Sequence, residues 1–142
     1  REEGFREYVK KHSPETKIID LNLYAYDKEG MKDSMKQFFT ENSDIRFGLS
    51  FNSSIHVIGN FLKDNMPGHP HITLLGYDAI DINMKCMRDG YVDFLVGQHP
   101  QHQGLNCFRS IFNSCVLHMK QETLHYVGIE LIMPENMDFY KD

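Results

Sequence analysis

The chain has 142 residues, of which 41% are hydrophobic and 25% are charged, values close to those of an ordinary single globular domain. This composition excludes a disordered chain, a collagen-like chain and a small disulfide-rich scaffold, and no apolar run approaches the roughly 18 residues needed to span a bilayer. The 15 basic and 20 acidic side chains give a net charge of −5 with only short basic clusters, so we expect this segment neither to contact DNA directly nor to bind a membrane. Residues 1–12 contain no apolar stretch of the kind found in a signal peptide.

Predicted helices and strands alternate along the chain. The spacing of apolar residues predicts helices at 1–12, 31–40, 53–63, 82–88 and 101–120. Alternating or short apolar runs predict strands at 18–26, 45–51, 72–77, 92–96 and 123–133. Gly90 is the expected C-cap of the fourth helix. Five strands alternating with five helices indicate an α/β, doubly wound fold with a mostly parallel sheet. The chain opens in a helix with no strand before it, so we expect it to be the later part of a larger fold.

The cysteines give a weak indication of compartment. Cys86, Cys107 and Cys115 form no CxxC pair and cannot all pair with one another, which favours a reducing environment. Their neighbours are apolar, so the sequence predicts that they are buried small hydrophobic residues.

The sequence contains no arrangement that calls for catalysis or a metal. His69 and His71 form one close pair and His99 and His102 another, but neither has the spacing of a zinc ligand set. No GxSxG nucleophile elbow and no glycine-rich phosphate loop occurs. We therefore expect no enzymatic activity, no metal and no cofactor.

Polar residues follow three of the predicted strands. In an open α/β sheet, ligands bind beyond the carboxyl ends of the strands, and Asn52, Asp78 and Gln98 fall at three such ends, with Tyr77 beside them. Amide and carboxylate groups next to a flat apolar face suit a neutral sugar or polyol. Each residue also has a simpler interpretation: Asn52 and Ser53 could cap the next helix, Asp78 could serve a turn, and Gln98 could be an ordinary loop residue.

Four segments, taken in order, resemble successive parts of one protein family. They are Arg1-x-x-Gly4-Phe5 at the start of a helix, FNSSIHVIGNFL at 51–62, ITLLGYDAIDINMKCMRDGYVDFLVGQHPQHQG at 72–104, and VGIELIMPENMDFY at 127–140. Together they resemble the effector-binding domain of lactose-repressor (LacI) family transcriptional regulators. The resemblance covers essentially the whole chain.

The resemblance implies a type 1 periplasmic-binding-protein-like fold, present here incompletely and mainly as its C-terminal subdomain. Residues 1–97 would form that subdomain, 98–122 would form a crossover and a helix of the N-terminal subdomain, and 123–142 would form the closing strand and tail. The first half of the N-terminal subdomain and the helix-turn-helix headpiece would lie outside this chain.

The resemblance also implies a ligand-binding site. Carried over residue by residue, Arg1, Asn52, Asp78 and Gln98 stand where the family contacts its effector, and Tyr77 lies beside them. The implied effector is a sugar or a sugar phosphate. Ser53 stands where many members have Asp, which leaves the effector class open.

The implied mechanism is allosteric control of DNA binding by a homodimer in the cytoplasm, with operator DNA contacted only through the headpiece. Dimer contacts would fall on the helix that carries Ile82, Met84, Lys85 and Met87, although ordinary core packing is the alternative for the methionines. The same fold also serves periplasmic sugar-binding proteins and the sensor domains of membrane receptors, which form the alternative function. An enzyme on a doubly wound sheet is a third interpretation, and the sequence offers it no nucleophile, cofactor loop or metal set.

Overall fold

The computed structural model describes residues 1–23 and 28–140 of the chain. The helices are α1 (Glu2–His12), α2 (Lys28–Glu41), α3 (Ile55–Asn65), α4 (Asp81–Arg88) and α5 (Pro100–Cys115). The strands are β1 (Phe47–Leu49), β2 (Thr73–Tyr77), β3 (Phe94–Gly97) and β4 (Glu130–Ile132), and a short 3₁₀ helix covers Met137–Phe139. Within the described ranges, no helix combines the length and the apolar character that crossing a membrane requires.

The strands form one open sheet in the order β1-β2-β3-β4. β1 pairs with β2 and β2 with β3 in parallel, whereas β4 runs antiparallel to β3, with Gly97 opposite Glu130. This mixed α/β sheet confirms the predicted fold class, and the β1–β3 part is parallel as predicted. Because the three parallel strands are neighbours, their carboxyl ends meet at one edge of the sheet.

The core lies between the sheet and the helices that connect its strands. Ile55 of α3, Leu74 of β2, Leu95 of β3 and Ile132 of β4 are all fully buried. α3 crosses β2 so closely that a Cβ added at Gly76 would lie 2.4 Å from Ile55 Cγ2. Only glycine permits this approach, which sets how near α3 lies to the strand.

Helix α4 buries one face and exposes the other. Cys86 and Met87 belong to the core, and Met84 packs against it, whereas Ile82 and Lys85 are exposed. The alternative of core packing is therefore correct for Met87, which cannot contribute to a surface between subunits. Gly90 follows the helix with φ +79°, as predicted for its C-terminal cap.

Two predicted strands differ from the structure. Residues 18–23 form no strand, although Leu21 and Leu23 pack against the core, and residues 24–26 of that prediction lie outside the described residues. In the last predicted strand only Glu130–Ile132 pairs, while Tyr126 is 93% exposed. The alternation of apolar residues reports which side faces the core, but a strand also requires a neighbour for its backbone hydrogen bonds.

Helix α5 differs from its prediction in length and in burial. It ends at Cys115 rather than Lys120, and His118 takes φ +50°, a conformation that an α-helix cannot contain. None of its residues is buried. Cys107 and Cys115 are consequently exposed, so the prediction of three buried cysteines is correct only for Cys86. The spacing of apolar residues correctly predicts an amphipathic helix here, but no described part of the chain covers its apolar face.

Candidate functional site

The loops that follow β1, β2 and β3 meet at one edge of the sheet, and the predicted site residues lie there. Gln98 donates a hydrogen bond from Nε2 to Asp78 Oδ1 at 2.5 Å, which joins the ends of β3 and β2. The amide nitrogen of Asp78 also donates to the carbonyl of Val96 at 3.0 Å, continuing the parallel ladder past the end of β2. Two side chains far apart in sequence are thereby brought together.

Arg1 joins the same group from the start of α1. Its guanidinium donates to Gln98 Oε1 at 2.5 Å and to the carbonyl of Phe51 at 3.2 Å, and its Cζ lies 4.5 Å from the centre of the Tyr77 ring. Phe5, one turn along α1, makes an edge contact with Phe51, with ring centroids 5.7 Å apart. This aromatic contact holds the amino end of α1 against the loop after β1. Arg1, Tyr77, Asp78 and Gln98 therefore form one connected cluster, which we call the strand-end cluster.

Asn52 lies at the same edge but makes local contacts. Its Oδ1 accepts hydrogen bonds from the Ser50 hydroxyl and from the amide nitrogen of Ser54, both at 2.9 Å. Ser54, not Asn52 or Ser53, is the N-cap of α3, and Ser54 makes no side-chain capping bond. Asn52 thus shapes the turn before α3 without being the helix cap, and it stands beside Phe51, to which Arg1 bonds.

Two residues of this edge have a left-handed backbone. Asp78, directly after β2, has φ +69°, and His99, two residues beyond the end of β3, has φ +49°. Positive φ is uncommon for residues other than glycine and is often found at functional sites. His99 is held by Tyr140, whose ring stacks on it with centroids 5.0 Å apart and whose hydroxyl accepts the His99 N–H at 3.3 Å. Sequence patterns carry no signal for these dihedral angles or for the contact with the chain's tail.

Sequence reasoning also missed Asn83. It lies on the buried face of α4, three and four residues before Cys86 and Met87, and it is fully buried. Its side-chain nitrogen donates to the carbonyls of Tyr77 and Asp78 at 3.1 and 2.9 Å. An amide residue in an otherwise apolar helical stripe was the available signal, because a buried amide must find partners.

Cys86 lies on the same buried face of α4 as Asn83. Burial raises the pKa of the Cys86 thiol, which disfavours the reactive thiolate. Among the described residues, no group of three His, Cys, Asp or Glu side chains is placed to hold a metal ion.

A cavity of about 140 Å³ lies away from the strand-end cluster, at the amino ends of β2 and β3, where His71, Ile72 and Tyr91 help to line it. None of the predicted site residues borders that cavity.

Comparison with known proteins agrees with this fold. The sequence profile described as the periplasmic binding protein domain matches residues 1–115, which is most of the chain. The chain therefore belongs to the periplasmic binding protein domain family. No curated protein matches it.

Solved structures extend the comparison. The chain is similar to a candidate LacI transcriptional regulator from Bacteroides fragilis, with 32% identity and a TM-score of 0.91, over 99% of this chain and 47% of that one. It shares its fold with a carbohydrate transporter solute-binding protein from Agrobacterium radiobacter in complex with D-arabinose, with 22% identity and a TM-score of 0.76, over 94% of this chain and 45% of that one. It also shares its fold with a transporter solute-binding protein from Agrobacterium vitis with bound D-fucose, with 18% identity and a TM-score of 0.79, over 97% of this chain and 47% of that one. The chain thus spans about half the length of these proteins.

Proposed function

We propose that this chain is part of the sugar-binding domain of a LacI-type transcriptional regulator and that the effector binds at the strand-end cluster. The observation that carries the proposal is the connected group of Arg1, Gln98 and Asp78 beside the Tyr77 ring. The cluster lies at the carboxyl edge of a parallel sheet, where ligands of such folds bind.

The chemistry of the cluster suits a neutral polyol. Arg1 supplies donors only, the Asp78 carboxylate accepts, and the Gln98 amide does both, so sugar hydroxyls can bond to each of them. The Tyr77 ring offers a flat face for the apolar side of a sugar ring. One guanidinium and one carboxylate together carry no net charge, which favours a sugar over a sugar phosphate.

Two observations support a regulator over the alternative, a solute-binding protein or receptor sensor domain. Identity to the candidate LacI regulator is 32% over 99% of the chain, whereas identity to the transporter protein with D-arabinose is 22%. The unpaired cysteines, two of them exposed, suit a reducing compartment. We accordingly assign the protein to the cytoplasm and give it a binding role without catalysis.

The proposed mechanism uses the effector as a bridge. The sugar would contact this subdomain and a second one, stabilise their closed arrangement, and alter the geometry of a homodimer whose headpieces bind operator DNA. An effector shifts such an equilibrium only by its differential affinity for the two states, and about 1–3 kcal/mol is typical.

Helix α5 supports the proposed division of the chain, in which residues 98–122 belong to the second subdomain. Although α5 is amphipathic, its apolar side chains are exposed, and residues just beyond it share this exposure. The exposed apolar residues of this region include Leu105, Phe108, Ile111, Phe112, Val116 and Leu117. A sheet supplied by the rest of the full-length protein would cover them.

The test uses the full-length protein and isothermal titration calorimetry with D-arabinose, D-fucose and D-allose. Saturable binding of one sugar, weakened by about tenfold or more in Asp78→Ala, is the expected result. Binding of none of them, with the protein folded and dimeric, would contradict a site for sugars of this class. The sequence preceding Arg1 separates the two roles: a helix-turn-helix supports the regulator, whereas an apolar signal segment supports the exported protein.

A further inference from the structure

Asn83 is a completely buried polar residue behind the strand-end cluster. Its exposed fraction is 0%, the lowest in the described structure for a polar residue. The carbonyl oxygens of Ser53, Tyr77 and Asp78 lie 3.0, 3.1 and 2.9 Å from the side-chain nitrogen, whose two hydrogens are shared among these three acceptors. Three carbonyl neighbours require the nitrogen on this side of the amide, which fixes its orientation.

The other side of the Asn83 amide is satisfied by one residue of α3. Its oxygen accepts from the backbone N–H of His56 at 3.3 Å and faces His56 Nδ1 at 2.9 Å. His56 Nδ1 also faces the carbonyl of Ser53 at 3.2 Å, and because both of its neighbours are acceptors, Nδ1 carries the hydrogen. The Asn83 side chain therefore ties α4 to the start of α3 and to the ends of two strands.

The position of these carbonyls gives Asn83 its importance. Tyr77 and Asp78 are the two residues at which the chain leaves β2, and Asp78 has the left-handed φ of +69°. A left-handed aspartate costs more than an extended one and persists only where its surroundings hold it. Asn83 bonds to the carbonyl of Tyr77, in the peptide group before the Asp78 α-carbon, and to the carbonyl of Asp78, in the peptide group after it. Rotation of either peptide group would break a buried hydrogen bond.

The hydrogen bonds of Asn83 reach the strand-end cluster through backbone carbonyls, and two members of the cluster depend on that backbone. The Tyr77 ring lies against the Arg1 guanidinium, and the Asp78 carboxylate accepts from Gln98. A buried residue with a purely structural role would affect folding stability but leave the orientation of the Tyr77 ring and the Asp78 carboxylate unchanged. The contacts of Asn83 instead lead to the two residues that build the ligand-facing edge.

We propose that Asn83 is a positioning residue: through the carbonyls of Tyr77 and Asp78 it holds both side chains in the arrangement that binds the ligand. This inference rests on the proposed function, because it names a determinant of affinity at the same site. It predicts that loss of the Asn83 amide weakens ligand binding beyond its effect on folding.

The experiment compares Asn83→Ala with Met87→Ala in the full-length protein. Met87 is 1% exposed and lies one turn further along the same helix, so its truncation also damages the core behind the cluster. Each variant is checked by circular dichroism and titrated with D-arabinose, D-fucose and D-allose at a temperature where it is folded. We expect Asn83→Ala to lose about tenfold or more in affinity, since three carbonyls lose a buried donor. Met87→Ala should keep its affinity within about twofold while its melting temperature falls.

A second variant and a second measurement keep the inference testable when Asn83→Ala does not fold or no sugar binds. Asn83→Ser retains a hydroxyl donor for one of the carbonyls and should lose affinity to a smaller extent. The short distance between the amide hydrogen and Hα of Asp78, which a positive φ produces, is measured by NMR without any ligand. This distance should lengthen in the Asn83 variants and remain short in Met87→Ala.

The outcomes separate the two proposals. Equal affinities in the Asn83 and Met87 variants, or an unchanged Asp78 distance in the Asn83 variants, would overturn the positioning role. If the unaltered protein binds none of the three sugars, the proposed function fails, and the Asp78 distance alone then decides whether Asn83 holds the strand end.

Discussion

Replacing Asp78 by alanine is the most direct perturbation of the candidate site. The carboxylate accepts a hydrogen bond from Gln98 Nε2, and Gln98 in turn accepts from Arg1. Asp78→Ala removes the last acceptor in this series of hydrogen bonds, so the Gln98 amide hydrogen loses its acceptor. The only carboxylate in the strand-end cluster, and hence its strongest acceptor for a sugar hydroxyl, is lost at the same time.

The expected magnitude follows from the kind of bond that is removed. A hydrogen bond to a charged group contributes about 1.5–3 kcal/mol, and about 1.4 kcal/mol changes a dissociation constant tenfold. Asp78 is half-buried, so water screens the carboxylate only partly. We therefore expect Asp78→Ala to weaken sugar binding by roughly ten- to hundredfold. Alanine is also less tolerant of the left-handed φ of +69°, which costs about 1 kcal/mol of folding stability.

Calorimetric titration of the full-length protein measures the affinity, and urea unfolding measures the stability. Asp78→Asn retains an acceptor oxygen and tolerance of positive φ, so it should fold normally and lose affinity through the missing charge alone. Asp81→Ala removes an exposed carboxylate three residues further on and should leave binding unchanged. If Asp78→Ala remains folded and binds the sugar as tightly as the unaltered protein, the assignment of Asp78 to the site is wrong.

Three further predictions concern the site, the core and the surface charge. Arg1→Lys should weaken sugar binding about tenfold in calorimetry, since a lysine lacks the planar group that makes two hydrogen bonds and stacks on a ring; equal affinity would remove Arg1 from the site. Gly76→Ala should reduce the free energy of unfolding by about 1–3 kcal/mol, because the new methyl group would overlap buried Ile55; an unchanged urea midpoint would contradict this packing. The hydrogen bond from Lys63 lowers the pKa of Asp89, so its contribution to stability is present above the ordinary Asp pKa and is lost as the pH falls through the lowered value. Lys63→Met should therefore be less stable than the unaltered protein near neutral pH and equally stable in strong acid, and a difference that persists in acid would exclude this ion pair as its cause.

The sequence predicted which polar residues lie at the carboxyl edge of the sheet, but not how they bond to one another. The residues that follow buried strands identified Asn52, Asp78 and Gln98, because parallel strands that are neighbours end at the same edge. Arg1 was named only from the resemblance to a family, and no spacing rule connects it to Gln98. Asn83 was missed because the helical stripe of α4 looked apolar, and its partners are backbone carbonyls that carry no sequence signal.

The fold was predicted best where a segment is both apolar and paired. The β2 prediction began one residue before the observed strand and ended with it, since Leu74 and Gly76 are buried between two neighbouring strands. The segment at 18–23 alternates apolar and polar residues and packs two leucines on the core, yet it forms no strand. Amphipathicity predicts a buried side, whereas hydrogen-bonded pairing depends on the position of another segment.

By itself, the sequence determined the alternation of strands and helices from β1 to β4, the parallel pairing of β1 to β3, and the polar residues at their carboxyl edge. These properties follow from local preferences and from the periodicity of apolar residues, which act over a few residues along the chain. Tertiary structure alone decided that Arg1, Gln98 and Asp78 bond to one another, that β4 runs antiparallel, and that Asn83 holds the turn after β2. Each of these depends on the meeting of residues far apart in the chain, and such contacts are fixed by packing in three dimensions rather than by local pattern.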